Sequence, residues 1–327
     1  MFFQVIGKTL DNLGLSTKAK EILLSAWKKS TQNQYSIYLK QWFNFCSSRN
    51  EDPFHSNPQE IIEFLTVLFE NIGYSALSTA KAALGTFVTL QNGQTLSQNQ
   101  LISKFMKGVF NKKPPTPRYS STWDVKIVLD FLRSLSPLKK LTLRQLTLKT
   151  TMLIALTSSQ RQQTIHMLDI QQMEITGDSV TFQIDTLLKH NRPGRIGTNL
   201  SFSAYDEDKK ICVYTHIVEY LRRTKYCRGK ETRLFVSFKK PHHKVTRDTI
   251  ARWLKTIMTQ AGIDTTIYKP HSTRTASVSK AMSMDVPVQH ILKHAGWASE
   301  KTFQRFYNKP ILCKESSSVT DAILSNE

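Results

Sequence analysis

Cysteine is scarce in this sequence: four in 327 residues, Cys46, Cys212, Cys227 and Cys313, with no CxxC pair and no histidine at metal-ligand spacing to any of them. Neither a structural zinc site nor a disulfide framework is expected. Long apolar runs are missing too, since the stretch around IIEFLTVLF falls far short of the ~20 residues that a membrane helix needs. The N-terminus MFFQVIGK lacks the basic region and apolar core of a secretory signal, so a soluble, intracellular protein is expected. No glycine-rich phosphate loop, GxSxG, HExxH or paired-carboxylate signature occurs, which argues against nucleotide-driven, metal-dependent or glycosidase chemistry and implies no cofactor. Negative charge is also in short supply. Against 45 Lys+Arg stand 25 Asp+Glu, a net +20 that works against a compact fold unless an anion offsets it, and nucleic acid is the leading partner.

A single core rarely grows past about 250–300 residues, so the length sets a two-domain expectation. Residues 1 to 15 carry no strong pattern. From Ser30, Tyr35, Tyr38, Leu39, Trp42 and Phe45 recur at the steps of one helix face. A second helix opens with Asn57 as cap and Pro58 as first residue, carries Ile61, Leu65 and Leu68, and stops at Gly73. A third is expected over Ser75 to Leu90 with Leu77, Leu84 and Val88, and a fourth carries Leu101, Ile102, Phe105, Met106 and Val109. Together these make a helical domain over residues 1–110. Its aromatic face reads as core rather than as a base-stacking platform. Lys28, Lys29, Lys81, Lys104 and Lys107 are the candidate phosphate contacts, each equally consistent with a solvated surface charge. Residues 111–121, NKKPPTPRYSS, break the helical pattern with three prolines and read as an extended linker, along which Lys112, Lys113 and Arg118 are placed to track a phosphate backbone.

Residues 122–315 form the second domain. Thr122 is expected to cap a helix with Val125, Val128, Leu129 and Leu132; another starts at Thr142 and is interrupted by Ser158 and Ser159, after which Arg161 begins a new turn. MEITGDSVTFQID and RIGTNLSFSAY alternate as strands joined through LLKHNRPG, which puts Lys189 near a hairpin tip. LFVSF reads as a further strand, followed by a helix from Thr246 to Ala261. His271 and Arg274 then stand one helical turn apart, a spacing that lets both converge on one small anion. Pro287 suits a helix start, and Ser299 is a good cap for a short helix carrying Phe303, Phe306 and Tyr307. A tyrosine within reach of a His/Arg face suits attack on a phosphodiester. Residues 316–327 are expected to form a short tail helix capped near Ser318.

The runs HSTR, AGW and TFQRFYNKP resemble the C-terminal signature of the tyrosine recombinases, most closely the type carried by Crypton-like and DIRS-like mobile elements of eukaryotes. The resemblance extends through TSSQRQQTIHMLDI, LLKHNRPGR and LFVSFKKPHHKVTRDTIARWLKTIMTQAGID, roughly residues 120 to 313. It implies a mainly α fold with a small β-sheet, in which an N-terminal helical core-binding (SAM-like) domain precedes an α+β catalytic domain. It also implies metal-independent DNA strand transfer by Arg161, Lys189, His271, Arg274, Trp297 and Tyr307, with His294 as the alternative to Trp297. In that scheme the two arginines hold the phosphate oxygens, His271 is the base, Lys189 protonates the leaving group and Tyr307 is the nucleophile. The implied partners are double-stranded DNA and further copies of the chain, a dimer on one site and a tetramer on paired sites, in the nucleus. One departure is Thr164, where the family often has a carboxylate. A domesticated copy that binds DNA without cutting, and a strand-passing enzyme like the type IB topoisomerases, are the other readings.

Overall fold

Polar side chains placed one residue ahead of the apolar stripes set where many of the helices begin. In the computed structural model, which describes residues 2–11, 13–185, 198–297 and 299–312, the chain divides into two compact units, Met1–Thr116 and Pro117–Glu327. The first contains α1 (Phe2–Asp11), α2 (Thr17–Ser25), α3 (Lys29–Arg49), β1 (His55–Ser56), α4 (Pro58–Asn71), α5 (Tyr74–Leu84), β2 (Thr89–Leu90) and α6 (Gln100–Lys112). Asn57 and Glu60 cap α4 reciprocally, and the Asn99 side chain accepts from the N–H groups of Leu101 and Ile102 at the head of α6. Leu39, Trp42, Ile61, Leu65, Leu77 and Leu84 are the inaccessible centre of this unit. Trp42 is buried without a lost hydrogen bond, because its indole N–H donates to the carbonyl of Pro53 at 2.9 Å. Tyr35, Tyr38 and Phe45 pack against the same core.

Two expectations for this unit are corrected. Residues 1–15 do hold a helix, α1, which buries Val5 and Ile6 and packs Leu10 against the same core. The third helix ends at Leu84 rather than Leu90, with Gly85 as its cap. Phe87 and Val88 turn inward from the connection, and β2 pairs in parallel with β1. Val88 thus has the burial that its spacing implied, but from a turn.

The second unit runs through α7 (Val125–Ser134), α8 (Leu143–Ser158), α9 (Gln162–His166), β3 (Met173–Ile175), β4 (Ser179–Ile184), β5 (Thr198–Ser203), α10 (Val213–Thr224), α11 (Arg247–Gln260), α12 (Ser272–Met282), α13 (Val288–Ala295) and α14 (Glu300–Phe306). Helix α8 is buried along nearly its whole length, and α10, α11 and α12 pack against it. That explains why its sequence shows no clean amphipathic stripe. The antiparallel sheet β3-β4-β5 pairs Met173 with Phe182 and Phe182 with Leu200. A separate small core of Val278, Ile291, Leu292, Ala295, Trp297 and Phe303 anchors α14.

Here too the structure departs from the sequence reading. Asp124, not Thr122, caps α7. Thr122 instead bridges Ile311, donating its N–H to Pro310 and accepting from Leu312, both at 2.8 Å, which fastens the segment after Tyr307 to the start of the unit. MEITGDSVTFQID is itself a hairpin, β3 and β4, turning where the Thr176 hydroxyl meets Asp178 and Ser179. LFVSF does not extend into a full strand: it pairs only at an isolated antiparallel bridge, Val236 opposite Lys244, while Leu234 N–H donates to the Leu168 carbonyl and Val236 N–H to the Tyr220 hydroxyl. Lys189 and the tail from 316 to 327 lie outside the described residues. Among the described residues no helix is long and apolar enough to cross a membrane.

Candidate active site

Two left-handed residues set up the site. Ser159 (φ 50°) ends α8 and turns its carbonyl toward α12, where Arg274 Nε donates to it at 2.6 Å. Gly296 (φ 69°) ends α13, and only glycine takes that conformation at little cost. The turn exposes the Ala295 carbonyl, which accepts from Arg274 Nη2 at 2.9 Å, and carries Trp297 inward. Arg274 is wholly inaccessible to water, and its guanidinium carbon lies 4.6 Å from the Trp297 ring centre and 5.3 Å from that of Tyr307.

Tyr307 follows the last residue of α14, whose Phe303 is fully buried. Its N–H donates to the Phe303 carbonyl at 2.8 Å, and its carbonyl accepts from the Ser279 hydroxyl at 3.2 Å. The ring packs on Trp297 with centroids 4.3 Å apart. Tyr307 Oη stands 3.2 Å from His271 Nε2. With the imidazole proton on Nδ1, His271 accepts the phenol's hydrogen bond. His271 immediately precedes α12, so it and Arg274 occupy successive turns, the histidine toward solvent and the arginine inward.

Arg161 immediately precedes α9, and its charge bears on Arg274. Burial is the larger influence. It pulls the Arg274 guanidinium down to about 10, Arg161 pulls the same way, and Tyr307 opposes both. The group still carries its charge at neutral pH. Among the described residues neither arginine has a carboxylate partner, and Arg161 Nη1, Arg274 Nη1 and Trp297 Nε1 are all buried donors with no acceptor. Orphaned buried donors are costly unless a ligand takes them. The three belong to residues around one guanidinium, so the site can offer its donors to a small anion.

The structure thus brings together Arg161, His271, Arg274, Trp297 and Tyr307. His294 is elsewhere: its Nε2 meets the Thr157 carbonyl at 2.7 Å, while its own carbonyl accepts from Gln160. Thr164 is buried in α9 one turn after Arg161. Among the described residues no three His, Cys, Asp or Glu side chains are arranged to hold a metal ion. Sequence reasoning missed Ser159, which acts through its backbone carbonyl, Gln160, through its side-chain amide, and Ser279, through its hydroxyl; the break between α8 and α9 was the visible signal.

The basic residues of the first unit do not converge in the same way. Lys28, Lys29, Lys104, Lys107 and Lys112 are exposed, and Lys81 is half-buried on α5. Lys113 turns to the C-terminal end of α4, its amine 3.5 Å from the carbonyls of Phe69 and Ile72, where it complements the helix dipole. Arg118 is exposed beside the Tyr307 cavity described below.

No family model matches the sequence, and no curated protein does. Solved structures are similar. The XerH site-specific recombinase bound to difH substrate in a post-cleavage complex superposes with a TM-score of 0.57 at 15% identity, over 83% of this chain and 74% of that one. The Tn1549 transposon integrase in complex with transposon right end DNA gives 0.56 at 12% identity, over 98% and 97%. A lambda integrase dimer bound to a COC′ core site gives 0.53 at 12% identity, over 95% and 77%. The fold is that of the tyrosine recombinases. At such identities the likeness concerns architecture, a helical N-terminal part followed by an α+β domain, and the chemistry rests on the residues themselves.

Proposed function

We propose that this chain is a site-specific DNA recombinase that cuts and rejoins strands through a covalent 3′-phosphotyrosine at Tyr307. The observation that carries the reading is the Tyr307 hydroxyl at 3.2 Å from an imidazole, beside a buried arginine whose remaining donor has no partner. Tyr307 Oη attacks phosphorus, its proton passing to His271 Nε2. The bond from phosphorus to the 5′ oxygen breaks, and charge accumulating on the non-bridging oxygens is taken by Arg161, Arg274 and the Trp297 indole. The departing 5′ oxygen needs a proton, the role that the family resemblance gives Lys189. The ester to tyrosine keeps the energy of the broken bond, so a 5′ hydroxyl from a second strand reverses the reaction.

Several of the solved structures similar to this one hold DNA, one as a dimer on a core site and one as a tetramer on a Holliday junction, which supports duplex DNA as partner and assembly on paired sites. The net charge of +20 supports the same partner. The closer affiliation with Crypton-like elements, and with it a nuclear location, rests on the sequence motifs alone. The test is incubation with a pool of nicked duplexes of randomised sequence, followed by recovery of covalent adducts under denaturing conditions. Adduct at Tyr307, undiminished by excess EDTA, is expected, and the recovered strands report the target. Binding without adduct favours the domesticated reading; adduct without strand exchange favours the topoisomerase-like one.

A further inference from the structure

A cavity of about 340 Å³ lies beside the reacting tyrosine, lined by Arg118, Tyr119, His271, Phe306, Tyr307 and Lys309 among others. Arg274 and Trp297 do not line it, so it is distinct from the oxyanion pocket. Its walls are largely aromatic. Tyr119 is half-buried against Tyr268, ring centres 5.3 Å apart, with its hydroxyl 3.5 Å from that of Thr275. Phe306, next to the nucleophile, is 53% exposed and takes no part in the small core that holds Phe303 and Trp297. Arg118 and Lys309 put two cations at the cavity, and Arg305 lies 5.1 Å from the Phe306 ring centre.

We propose that this cavity is a nucleoside subsite, which takes the base and sugar bearing the 3′ oxygen of the reacting phosphate; it rests on the recombinase reading of Tyr307. In an in-line displacement the attacking and departing oxygens occupy opposite apices. A cavity walled by Tyr307 and His271 stands on the attacking side, away from the departing 5′ nucleoside. The nucleoside on the retained 3′ oxygen lies in the equatorial plane and is the one within reach. The volume is at the lower end of small-ligand sites, the size for a single nucleoside. Aromatic walls stack on any base, and flanking cations meet the adjoining phosphates, so the subsite orients the strand without reading its sequence.

Two phosphodiesters test this on the full chain without knowledge of the target. Thymidine 3′-(4-nitrophenyl phosphate) and methyl 4-nitrophenyl phosphate each offer a leaving group that departs as nitrophenolate, while the Tyr307 oxygen bonds to phosphorus and its proton passes to His271. The thymidine ester should modify Tyr307 about tenfold faster, read by intact mass and nitrophenolate absorbance. Phe306→Ala should erase that advantage and leave the methyl ester rate unchanged. Equal rates in the wild type, or an advantage that survives both Phe306→Ala and Tyr119→Ala, overturn the subsite. If neither ester modifies Tyr307, the nucleophile assignment fails and the subsite is judged by calorimetry instead. Thymidine 3′-monophosphate must then bind about tenfold more tightly than inorganic phosphate, and no more tightly than phosphate in Phe306→Ala; equal affinities in the wild type overturn it.

Discussion

Arg228 and Arg274 are both buried in the second unit, yet their guanidiniums meet different surroundings. Arg228 donates to the carbonyls of Arg233 (2.9 Å) and Leu234 (3.2 Å) and to the Thr224 hydroxyl (2.5 Å), closing the loop after α10. Arg274 donates to two carbonyls and keeps one buried donor unpartnered. Burial lowers the affinity of both for their protons, but at Arg228 the neighbouring groups oppose the shift, whereas at Arg274 a second guanidinium adds to it. A buried arginine whose donors meet loop carbonyls is structural. One with a donor to spare and a like charge beside it is suited to an anionic ligand.

The largest effects lie in the chemistry. Tyr307→Phe should abolish covalent adduct while duplex binding stays within about twofold, since only the nucleophilic oxygen is lost. Arg274→Lys, which keeps the charge but not the planar fork, should slow adduct formation by about 10²–10³. Arg228→Lys, assayed per folded molecule, should stay within about threefold. A comparable loss at both arginines would break the comparison.

A third buried basic position sharpens it. His216 is inaccessible, its Nδ1 2.7 Å from the Cys212 carbonyl, and burial pushes its pKa down to about 4, with Lys149 acting in the same direction. Because the folded state resists protonation, stability is complete above the unfolded value near 6.5 and falls as pH drops from there to about 4. The loss should be on the order of 3 kcal/mol by urea titration, and His216→Gln should flatten it. An unchanged slope would mean that His216 is not held neutral.

Smaller effects separate the arginines in stability. Arg228→Met should cost about 2 kcal/mol, because it strands the carbonyls of Arg233 and Leu234. Arg274→Met should cost less, since it also removes an orphaned donor and a like-charge neighbour. The order is checked by denaturant melts; a reversal would show that the Ser159 and Ala295 bonds outweigh the desolvation. Smallest of all, inorganic phosphate at ten times its Kd should stabilise the wild type and Arg228→Met by about 1.4 kcal/mol and leave Arg274→Met unchanged. Stabilisation that persists without Arg274 would place the anion elsewhere on this basic surface.

The units also differ in how legible they were. Residues 1–116 carry 12 Lys+Arg against 7 Asp+Glu and residues 117–327 carry 33 against 18, so the excess charge is concentrated in the second unit. In the first, the cap at Asn57 and the burial of Trp42 follow from local pattern. The misreadings differ: α1 does carry a face, with Val5, Ile6 and Leu10 on the core, whereas Phe87 and Val88 are buried from a turn that has no helical period. In the second unit α8 shows no clean stripe because it is buried along nearly its whole length, and LFVSF has the composition of a strand but pairs with the segment around Lys244 only at an isolated bridge.

The one-turn spacing of His271 and Arg274, the break after Ser158 and the short helix ahead of Tyr307 are local facts, set by helical geometry and by the left-handed turn at Ser159. Which of His294 and Trp297 joins the site is not local. The left-handed turn at Gly296 sends Trp297 inward, while the Thr157 carbonyl holds the His294 ring. Likewise Arg274 is held by carbonyls 115 and 21 residues away in the chain, and its spare donor exists only because those two acceptors and no third are within reach. Every residue carries the same carbonyl whatever its side chain, so a site built on carbonyls leaves no mark in residue types and is decided by the tertiary fold.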